Sequence, residues 1–468
     1  MRFISRLALV GSFVTLLWFP AVGGAADGDL DTTFSADGRQ RVAFDLDVDA
    51  ADMATAVAVG SSGTIVAAGL ASITDPNHSH AVALVRLLPS GAPDGGFSSD
   101  GEFSFVPTDG VDPLFPPALA VATDGSIFVA GKSRETPQGG GRFVCKILPA
   151  GGLDTTFGSL GCVSESDCAI GNVPDSRCHY SAIVESAGSL YLAGSYLDFP
   201  VGAPSSADWE FLVEKRSAST GAADPTFSAD GRVVVPFDLD GESADETRAL
   251  ALGPDGTIFV AGGADADLTL GLPVLAVAAL TPAGDLDAGF GVGGRFAEVE
   301  GVATGVVVDA LGRLVVAGGS SGETAVLRFL ATGEIDLAFG TGGLALHPGL
   351  GGAAGLTLGL AVGSDGRPAL ALKRADGLFS AARLTAGGAL DPSFASDGVA
   401  EISFTDGSGG DFASTAAVAL EGGRVLLAGL AEWNGVDTDF GIVRLRGELV
   451  FSGGFESGGV WSWGVSVP

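Results

Sequence analysis

Closely spaced carboxylates are the side chains whose arrangement best suits a chemical task in this sequence. Asp45, Asp47 and Asp49 occupy alternate positions of a short polar stretch. Hard carboxylate oxygens are the ligands that Ca²⁺ prefers. The stretch lacks the sixth-position glycine and the closing glutamate of an EF-hand loop, so a solvated acidic loop is the favoured interpretation. Calcium stays a candidate by spacing alone, and no other cofactor is expected.

The cysteines point to covalent cross-links. The four of them, Cys145, Cys162, Cys168 and Cys178, fall in one stretch of the chain. An even, clustered set in an exported protein predicts two disulfides, and the sequence does not choose among the three possible pairings. A metal site is the alternative, but there is no C-x-x-C pair and export favours oxidation.

Catalytic chemistry has few candidates. The chain contains only four histidines, which leaves little material for a histidine-based triad. Paired carboxylates alone can hydrolyse glycosidic bonds, but the sequence does not reveal their separation. No residue is therefore assigned a catalytic role.

Seven copies of a phrase related to Leu-Asp-x-x-Phe, each followed by a Gly-rich turn, set the framework for these residues. They recur at intervals of about 50 to 70 residues, which is typical of propellers and solenoids. The Asp is predicted to accept backbone N–H bonds in a turn, with a cation-binding ring of Asp side chains as the alternative. The Phe is predicted to anchor the core between repeats. The pairs are Asp31 and Phe34, Asp94 and Phe97, Asp154 and Phe157, Asp224 and Phe227, Asp287 and Phe290, Asp336 and Phe339, and Asp391 and Phe394.

Each repeat is predicted to contain four short strands, which lie near 39–44, 55–59, 64–68 and 81–88 in the first repeat. Tight turns such as Asp124-Gly125 join the second and third strands. A Val-Ala-Gly ending follows, whose small residues are predicted to let neighbouring sheets approach closely. Seven such units predict an all-β, seven-bladed β-propeller of antiparallel strands. The ring closes if the strand at 39–44 completes the last sheet, and an open solenoid is the alternative.

Strand alternation places the variable connections of all repeats on one face of the disc. Because loops on a rigid scaffold carry function, this face is the predicted binding surface. Its connections are rich in acidic residues, namely Asp45, Asp47, Asp49, Asp52, Glu165, Asp167, Asp238, Asp240, Glu242, Asp265 and Asp267.

The ends of the chain differ from the repeats. Residues 1–26 have a basic start, an apolar run and small residues before Asp27, which predicts a secretory signal peptide. The propeller is assigned to 27–447 and a separate tail to 448–468. No transmembrane span is expected after signal cleavage.

Charge excludes two classes of partner. The formal net charge of −32 disfavours nucleic acid and anionic lipid through repulsion, and it suits cations or basic partners. A monomer is expected.

The repeat pattern LDxxFG-x-x-G, then AxAVxxxDGxIxVAG and xxARLxxxG, resembles the delta-60 repeat family of bacterial secreted proteins over about residues 28–447. The resemblance implies a β-propeller-like fold, and the signal peptide predicts that the protein is secreted or lies on the outer cell surface of a bacterium. The resemblance implies no activity and no catalytic residues.

The tail, with Gly454-Phe455-Glu456-Ser457-Gly458 and Trp461, resembles the GFESG-type tails of exported Gram-negative proteins, which implies sorting or surface attachment. A last strand packed on the disc is the alternative.

Together these features favour a secreted or cell-surface, non-catalytic binding module whose partner is an unknown extracellular ligand or surface component. An extracellular propeller hydrolase or lyase acting on glycans is one alternative. A purely structural surface protein is another.

Overall fold

Seven four-stranded antiparallel sheets, arranged as the blades of a propeller, make up this computed structural model. The structure describes residues 26–47, 51–75, 80–107, 110–134, 141–165, 177–198, 208–237, 239, 245–265, 273–320, 323–350, 357–374, 377–404, 413–433 and 437–447. The predicted tail, and all of the predicted signal peptide except Ala26, lie outside these residues. No helix within the described ranges is long and apolar enough to cross a membrane.

The strands of each blade follow one another from the axis outwards. Blades 1 to 4 consist of β2 (Asp52–Val59), β3 (Ile65–Ser72), β4 (His80–Leu87) and β5 (Glu102–Phe105); β6 (Ala118–Val121), β7 (Ile127–Lys132), β8 (Arg142–Ile147) and β9 (Cys162–Glu165); β10 (Arg177–Ser186), β11 (Ser189–Asp198), β12 (Asp208–Ser217) and β13 (Arg232–Val235); and β14 (Glu246–Leu252), β15 (Ile258–Asp265), β16 (Pro273–Leu280) and β17 (Arg295–Glu300).

Blades 5 to 7 repeat this order, except that the outermost strand of blade 7 comes from the start of the chain. They consist of β18 (Val302–Val308), β19 (Leu314–Ser320), β20 (Glu323–Phe329) and β21 (Leu344–Pro348); β22 (Thr357–Val362), β23 (Pro368–Leu372), β24 (Phe379–Arg383) and β25 (Val399–Ile402); and β26 (Ala413–Glu421), β27 (Arg424–Trp433), β28 (Asp437–Leu445) and β1 (Arg39–Val42).

The ring is closed by β1. It pairs with β28 in the register Arg39↔Val443 to Val42↔Phe440, and the first strands of all seven blades contact one another around the axis. The N–H of Gly28 also donates to the carbonyl oxygen of Arg446 at 2.8 Å. The predicted seven-bladed propeller and its closure are therefore confirmed, and the open solenoid is wrong.

Apolar side chains fill every junction between neighbouring blades. The second and third strands of a blade are covered on both faces, so they read as continuous apolar runs; β7 is buried along its whole length. The repeat Phe side chains belong to these junctions. Their exposed fractions are 0% for Phe34, Phe97, Phe157, Phe227, Phe339 and Phe394 and 2% for Phe290.

The repeat Asp shapes the linker that precedes the outermost strand of each blade. In blade 1 the N–H of Asp94 donates to the Arg86 carbonyl oxygen at 2.9 Å, and Oδ1 accepts the N–H of Gly96 at 2.9 Å. Oδ2 forms an ion pair with Arg86 Nε at 2.8 Å, and the guanidinium lies 4.8 Å from the ring centroid of Phe97. The carboxylate thus joins the turn, the third strand and the core.

This repeat ion pair is present in six blades. The pairs are Arg86–Asp94, Lys146–Asp154, Lys215–Asp224, Arg328–Asp336, Arg383–Asp391 and Arg444–Asp31. Blade 4 carries Ala279 at the basic position. Asp287 has no ion pair within the described residues, although its Oδ1 accepts the N–H of Gly289 at 3.0 Å.

The glycine of the Val-Ala-Gly ending is required inside its own blade, not between blades as predicted. A Cβ on Gly69 would lie 1.9 Å from the Met53 carbonyl oxygen of the adjacent first strand, and one on Gly318 would lie 2.1 Å from that of Val302. The register of the first strand shifts at this point, between Ala54 and Ala56 in blade 1. The bulge drives its carbonyl towards the second strand, where only glycine leaves room.

Candidate functional site

Two faces of the disc differ in what they carry. The loop face holds the connections from each outermost strand to the next blade and those between second and third strands. The turn face holds the tight turns between first and second strands and the Asp-x-x-Phe linkers. First and third strands begin at the loop face, so their first residues line it.

The acidic residues predicted on the loop face divide into two groups. Asp49, Asp167, Asp238, Asp240, Glu242 and Asp267 lie outside the described residues. Asp45 has a positive φ of 45° in the β1–β2 connection, and Asp47 accepts a hydrogen bond from the Thr74 hydroxyl. No group of three His, Cys, Asp or Glu side chains in the described ranges is arranged to hold a metal ion. Because Asp49 is not described, the calcium site stays a prediction.

Asp52 is buried, in contrast to the expected solvated loop. It is the first residue of β2, its exposed fraction is 0%, and its Oδ2 accepts the N–H of Phe44 at 2.7 Å. Its Oδ1 has no hydrogen-bond partner among the residues that the structure describes. Burial raises the pKa of Asp52 to about 6, and the neighbouring carboxylates of Asp439 and Asp437 raise it further. This side chain is therefore partly protonated near neutral pH.

Asp439 lies in the same region, at the loop-face end of β28. Its exposed fraction is 1%, and its Oδ2 is 3.0 Å from Arg41 Nε on the closing strand β1. Burial raises its pKa to about 6 despite Arg41, and Asp437 and Asp45 add to the effect. We call Asp52, Asp437 and Asp439 the junction carboxylates, because they lie where blade 7 meets blade 1.

A second group on the loop face combines rings and charges from four segments. This His179 cluster consists of Asp112, Phe115, Lys132, His179 and Trp209. The ring centroids of Phe115 and His179 are 4.4 Å apart, and those of His179 and Trp209 are 5.6 Å apart. Lys132 Nζ lies 4.3 Å from the Phe115 ring centroid and 3.0 Å from Asp112 Oδ2.

Strand ends fix these side chains in place. Lys132 ends β7, His179 lies near the start of β10, and Trp209 lies near the start of β12. The connection that carries Asp112 is held because the Asp112 N–H donates to the Lys132 carbonyl oxygen at 3.0 Å. The cluster is therefore anchored by the backbones of blades 2 and 3.

His179 is a neutral group in this setting. Its exposed fraction is 4%, and burial lowers its pKa to about 3, assisted by the positive charges of Lys132 and Arg248. Its Nδ1 is buried without a hydrogen-bond partner in the described structure. An unused polar atom between two aromatic rings marks this as the best candidate site for a ligand.

A buried ionic network links blades 2 and 3 beneath the loop face. Its members are Arg142, Glu165, Tyr180, Glu214, Arg216 and Arg232. Glu214 Oε1 is 2.6 Å from Arg142 Nη2, and its Oε2 accepts the Tyr180 hydroxyl at 2.7 Å and is 2.7 Å from Arg216 Nη2. Although burial alone would raise it, the three arginines hold the pKa of Glu214 below its ordinary value. Glu214 is 0% exposed, so this network serves the blade junction and not a ligand.

This network was not predicted from the sequence. The third strands of blades 1, 5, 6 and 7 each contain one arginine, whereas that of blade 3 contains Glu214-Lys215-Arg216 and that of blade 2 contains both Arg142 and Lys146. Two additional charges in a strand that is covered on both faces are a usable signal, because buried charges are almost always paired.

One of the two predicted disulfides is present among the described residues. Cys145 and Cys162 are bonded across the paired strands β8 and β9. Cys178 is also disulfide-bonded, and Cys168 lies outside the described residues.

Comparison with known proteins supports the fold. Residues 60–97 match the family model described as "Domain of unknown function (DUF5122) beta-propeller". No curated protein matches the sequence.

Solved structures resemble the chain at low identity. An alpha-L-arabinanase from Penicillium chrysogenum, complexed with arabinobiose, is 12% identical over 76% of this chain and 94% of its own, with a TM-score of 0.42. A Dyadobacter fermentans protein of unknown function is 12% identical over 88% and 100%, with a TM-score of 0.40. Sqt1 from Chaetomium thermophilum is 10% identical over 85% and 97%, with a TM-score of 0.43. At these scores the similarities carry no argument about function.

Proposed function

We propose that this protein is a secreted or cell-surface binding module that engages an extracellular ligand or surface component through its loop face, without catalysis. The signal-like residues 1–26 support export. The Cys145–Cys162 disulfide supports an oxidising compartment.

The observation that carries this proposal is the His179 cluster. It gathers two aromatic rings, an ion pair and an unused imidazole nitrogen at one place on the loop face. Phe115 and Trp209 are each partly exposed, and neighbouring Leu114 is 83% exposed. Rigid aromatic side chains with a few fixed polar groups are the usual composition of a binding site.

The same cluster is poorly equipped for catalysis. Lys132 is paired with Asp112, and the His179 imidazole has too low a pKa to act as a base at neutral pH. No hydroxyl or thiol in the described part of the chain donates to Nδ1 of His179. A binding role therefore accounts for the cluster more simply than a chemical one.

A thermal-shift screen of residues 27–468 tests this proposal. The probes are Ca²⁺, EDTA and bacterial and plant glycans, because a ligand of the folded state raises Tm saturably. We expect the shift to disappear in Trp209→Ala and Phe115→Ala and to persist in the control Leu160→Ala, whose side chain is 76% exposed on the turn face. No shift with any probe would favour a purely structural protein.

A glycan hydrolase or lyase is the second candidate, favoured by the junction carboxylates. A carboxyl group with a pKa of about 6 has the property that a general acid requires. Asp52 and Asp439 are, however, 0% and 1% exposed, so a substrate would need the junction to open. Product release from the same glycans, abolished by Asp52→Asn or Asp439→Asn with the fold intact, would establish this function. Absence of product would reject the enzymatic alternative, and the binding role would then be the single remaining proposal of the two.

A further inference from the structure

The junction between blades 4 and 5 lacks a side chain that the other blades use to join their neighbours. Asp287 follows the repeat geometry, since its N–H donates to the Ala279 carbonyl oxygen at 2.9 Å as Asp94 does to Arg86. Ala279 nevertheless replaces the basic residue that forms the repeat ion pair elsewhere. Blade 4 thus keeps the backbone geometry of the repeat ion pair but has no basic side chain at position 279 to pair with Asp287.

The arginines of other blades show what this cation contacts. Arg328 Nε is 2.7 Å from Asp336 Oδ2, its Nη1 donates to the Ala386 carbonyl oxygen of the next blade at 2.5 Å, and its guanidinium lies 4.5 Å from the Phe339 ring centroid. Arg444 repeats these contacts with Asp31, the Pro89 carbonyl oxygen and Phe34. Each guanidinium therefore occupies a site with a carboxylate, a carbonyl oxygen and an aromatic ring.

Blade 4 retains the corresponding acceptors. They are the carboxylate of Asp287, the ring of Phe290 and the carbonyl oxygen of Ala331, which occupies in the turn of blade 5 the position that Ala386 occupies in blade 6. The two segments are in contact as elsewhere, because a Cβ on Gly333 would lie 2.8 Å from the Gly289 carbonyl oxygen. Asp287 is half-buried, and its Oδ1 accepts only the N–H of Gly289 within the described residues.

Phe259 adds an aromatic surface at this place. It lies opposite Ala279 in the strand register, and its ring centroid is 5.8 Å from that of Phe290. It is only partly buried, and it brings no charge. An aromatic face beside an unpaired carboxylate attracts a guanidinium or ammonium group.

The turn face of the two blades that meet here carries exposed apolar side chains. Val292 is 82% exposed, Leu311 is 71% exposed and Leu337 is 74% exposed, and all three belong to turn-face connections of blades 4 and 5. Large apolar side chains exposed together mark a surface for another protein.

We propose that the Asp287 junction binds a basic side chain, preferably an arginine flanked by apolar residues, from a protein partner. Asp287, the Ala331 carbonyl oxygen and the partly exposed ring of Phe259 receive the guanidinium, while Leu311 and Leu337 contact the flanking residues. A net charge of −32 favours approach of such a partner. This surface lies on the face opposite the proposed ligand site and is independent of it.

Calorimetric titration with acetyl-Leu-Arg-Leu-amide at low ionic strength tests the proposal. The control peptide replaces arginine with citrulline, which has a similar shape without charge. We expect one saturable site for the arginine peptide and binding at least about tenfold weaker for the citrulline peptide. Ala279→Arg should abolish binding by supplying an internal guanidinium, and it should raise Tm if it forms the seventh repeat ion pair.

Matched substitutions separate the site from general charge effects. Asp287→Asn should weaken binding at least about tenfold, whereas Asp94→Asn, at the same position of a repeat that has its own arginine, should leave it unchanged. Arg86→Ala should create a second site and raise the stoichiometry from one to two. The proposal is overturned if the wild type does not bind the arginine peptide saturably, if both peptides bind alike, or if Asp287→Asn and Asp94→Asn have equal effects.

Discussion

Asp52 makes the stability of the propeller depend on pH in an unusual direction. The carboxyl group is 0% exposed, and its pKa is raised to about 6 from an ordinary value of 3.8. The folded state therefore binds this proton more tightly than the unfolded state does. The stabilisation is complete below about pH 4 and is lost as the pH rises through about 6.

The difference between the two pKa values corresponds to about 3 kcal/mol of unfolding free energy. Asp52→Asn removes the titration but retains an oxygen that can accept the Phe44 N–H. We therefore expect the wild type to lose about 3 kcal/mol relative to Asp52→Asn between pH 4 and pH 8. Urea denaturation of both proteins across this range measures the difference.

Asp224 supplies a control of opposite sign. Hydrogen bonds from Thr226 and the Lys215 ammonium lower its pKa to about 2. Its contribution is present above about pH 4 and is lost on acidification, so the wild type should lose stability relative to Asp224→Asn only as the pH falls. A wild-type stability that stays constant, or rises with pH, relative to that of Asp52→Asn would refute the assignment of a buried, neutral carboxyl group.

Three further predictions concern stability and are checked by chemical denaturation. Phe97→Ala should cost about 3–5 kcal/mol because the ring is 0% exposed, whereas Leu160→Ala, 76% exposed, should change stability by less than about 0.5 kcal/mol; equal effects would mean that Phe97 is not a core anchor. Glu214→Gln should cost about 3–5 kcal/mol because buried Arg142 and Arg216 lose one of the two carboxylates that they share and keep only Glu165, while Glu246→Gln, in an exposed pair with Arg248, should cost less than about 1 kcal/mol; a small loss for Glu214→Gln would show that the network is hydrated. Cys145→Ala should cost about 3 kcal/mol because its disulfide spans 17 residues, and a reductant should then have less effect than on the wild type; an unchanged unfolding midpoint would show that this bridge does not constrain the unfolded chain.

Local features made most of the fold predictable. Each Asp-x-x-Phe linker and tight turn lies within a few residues of the strands that it joins, so seven copies reveal seven blades. The position of strand 39–44 before the first full repeat indicated closure, which the pairing of β1 with β28 confirms. The start of β2 at Asp52 was not predicted, because the bulge between Ala54 and Ala56 interrupts the alternation.

The candidate sites depend on contacts between distant segments, which a repeat pattern does not encode. Glu214 and Arg142 are 72 residues apart in sequence, yet their side chains meet across a blade junction. His179, Phe115 and Lys132 likewise come from three segments. From the sequence, Asp287 was predicted to be equivalent to the other six repeat aspartates. It differs from them because the basic residue of the repeat ion pair, eight residues earlier, is replaced by Ala279.

The closure by β1 also determines how the disc faces anything to which it is attached. Gly28 is hydrogen-bonded to Arg446, so both ends of the described chain leave the disc side by side at the turn face. A tether at either end, whether a natural anchor or an engineered tag, would hold the disc by that side and point the loop face outward. The His179 cluster would then remain accessible on an immobilised molecule, while the Asp287 junction would face the support.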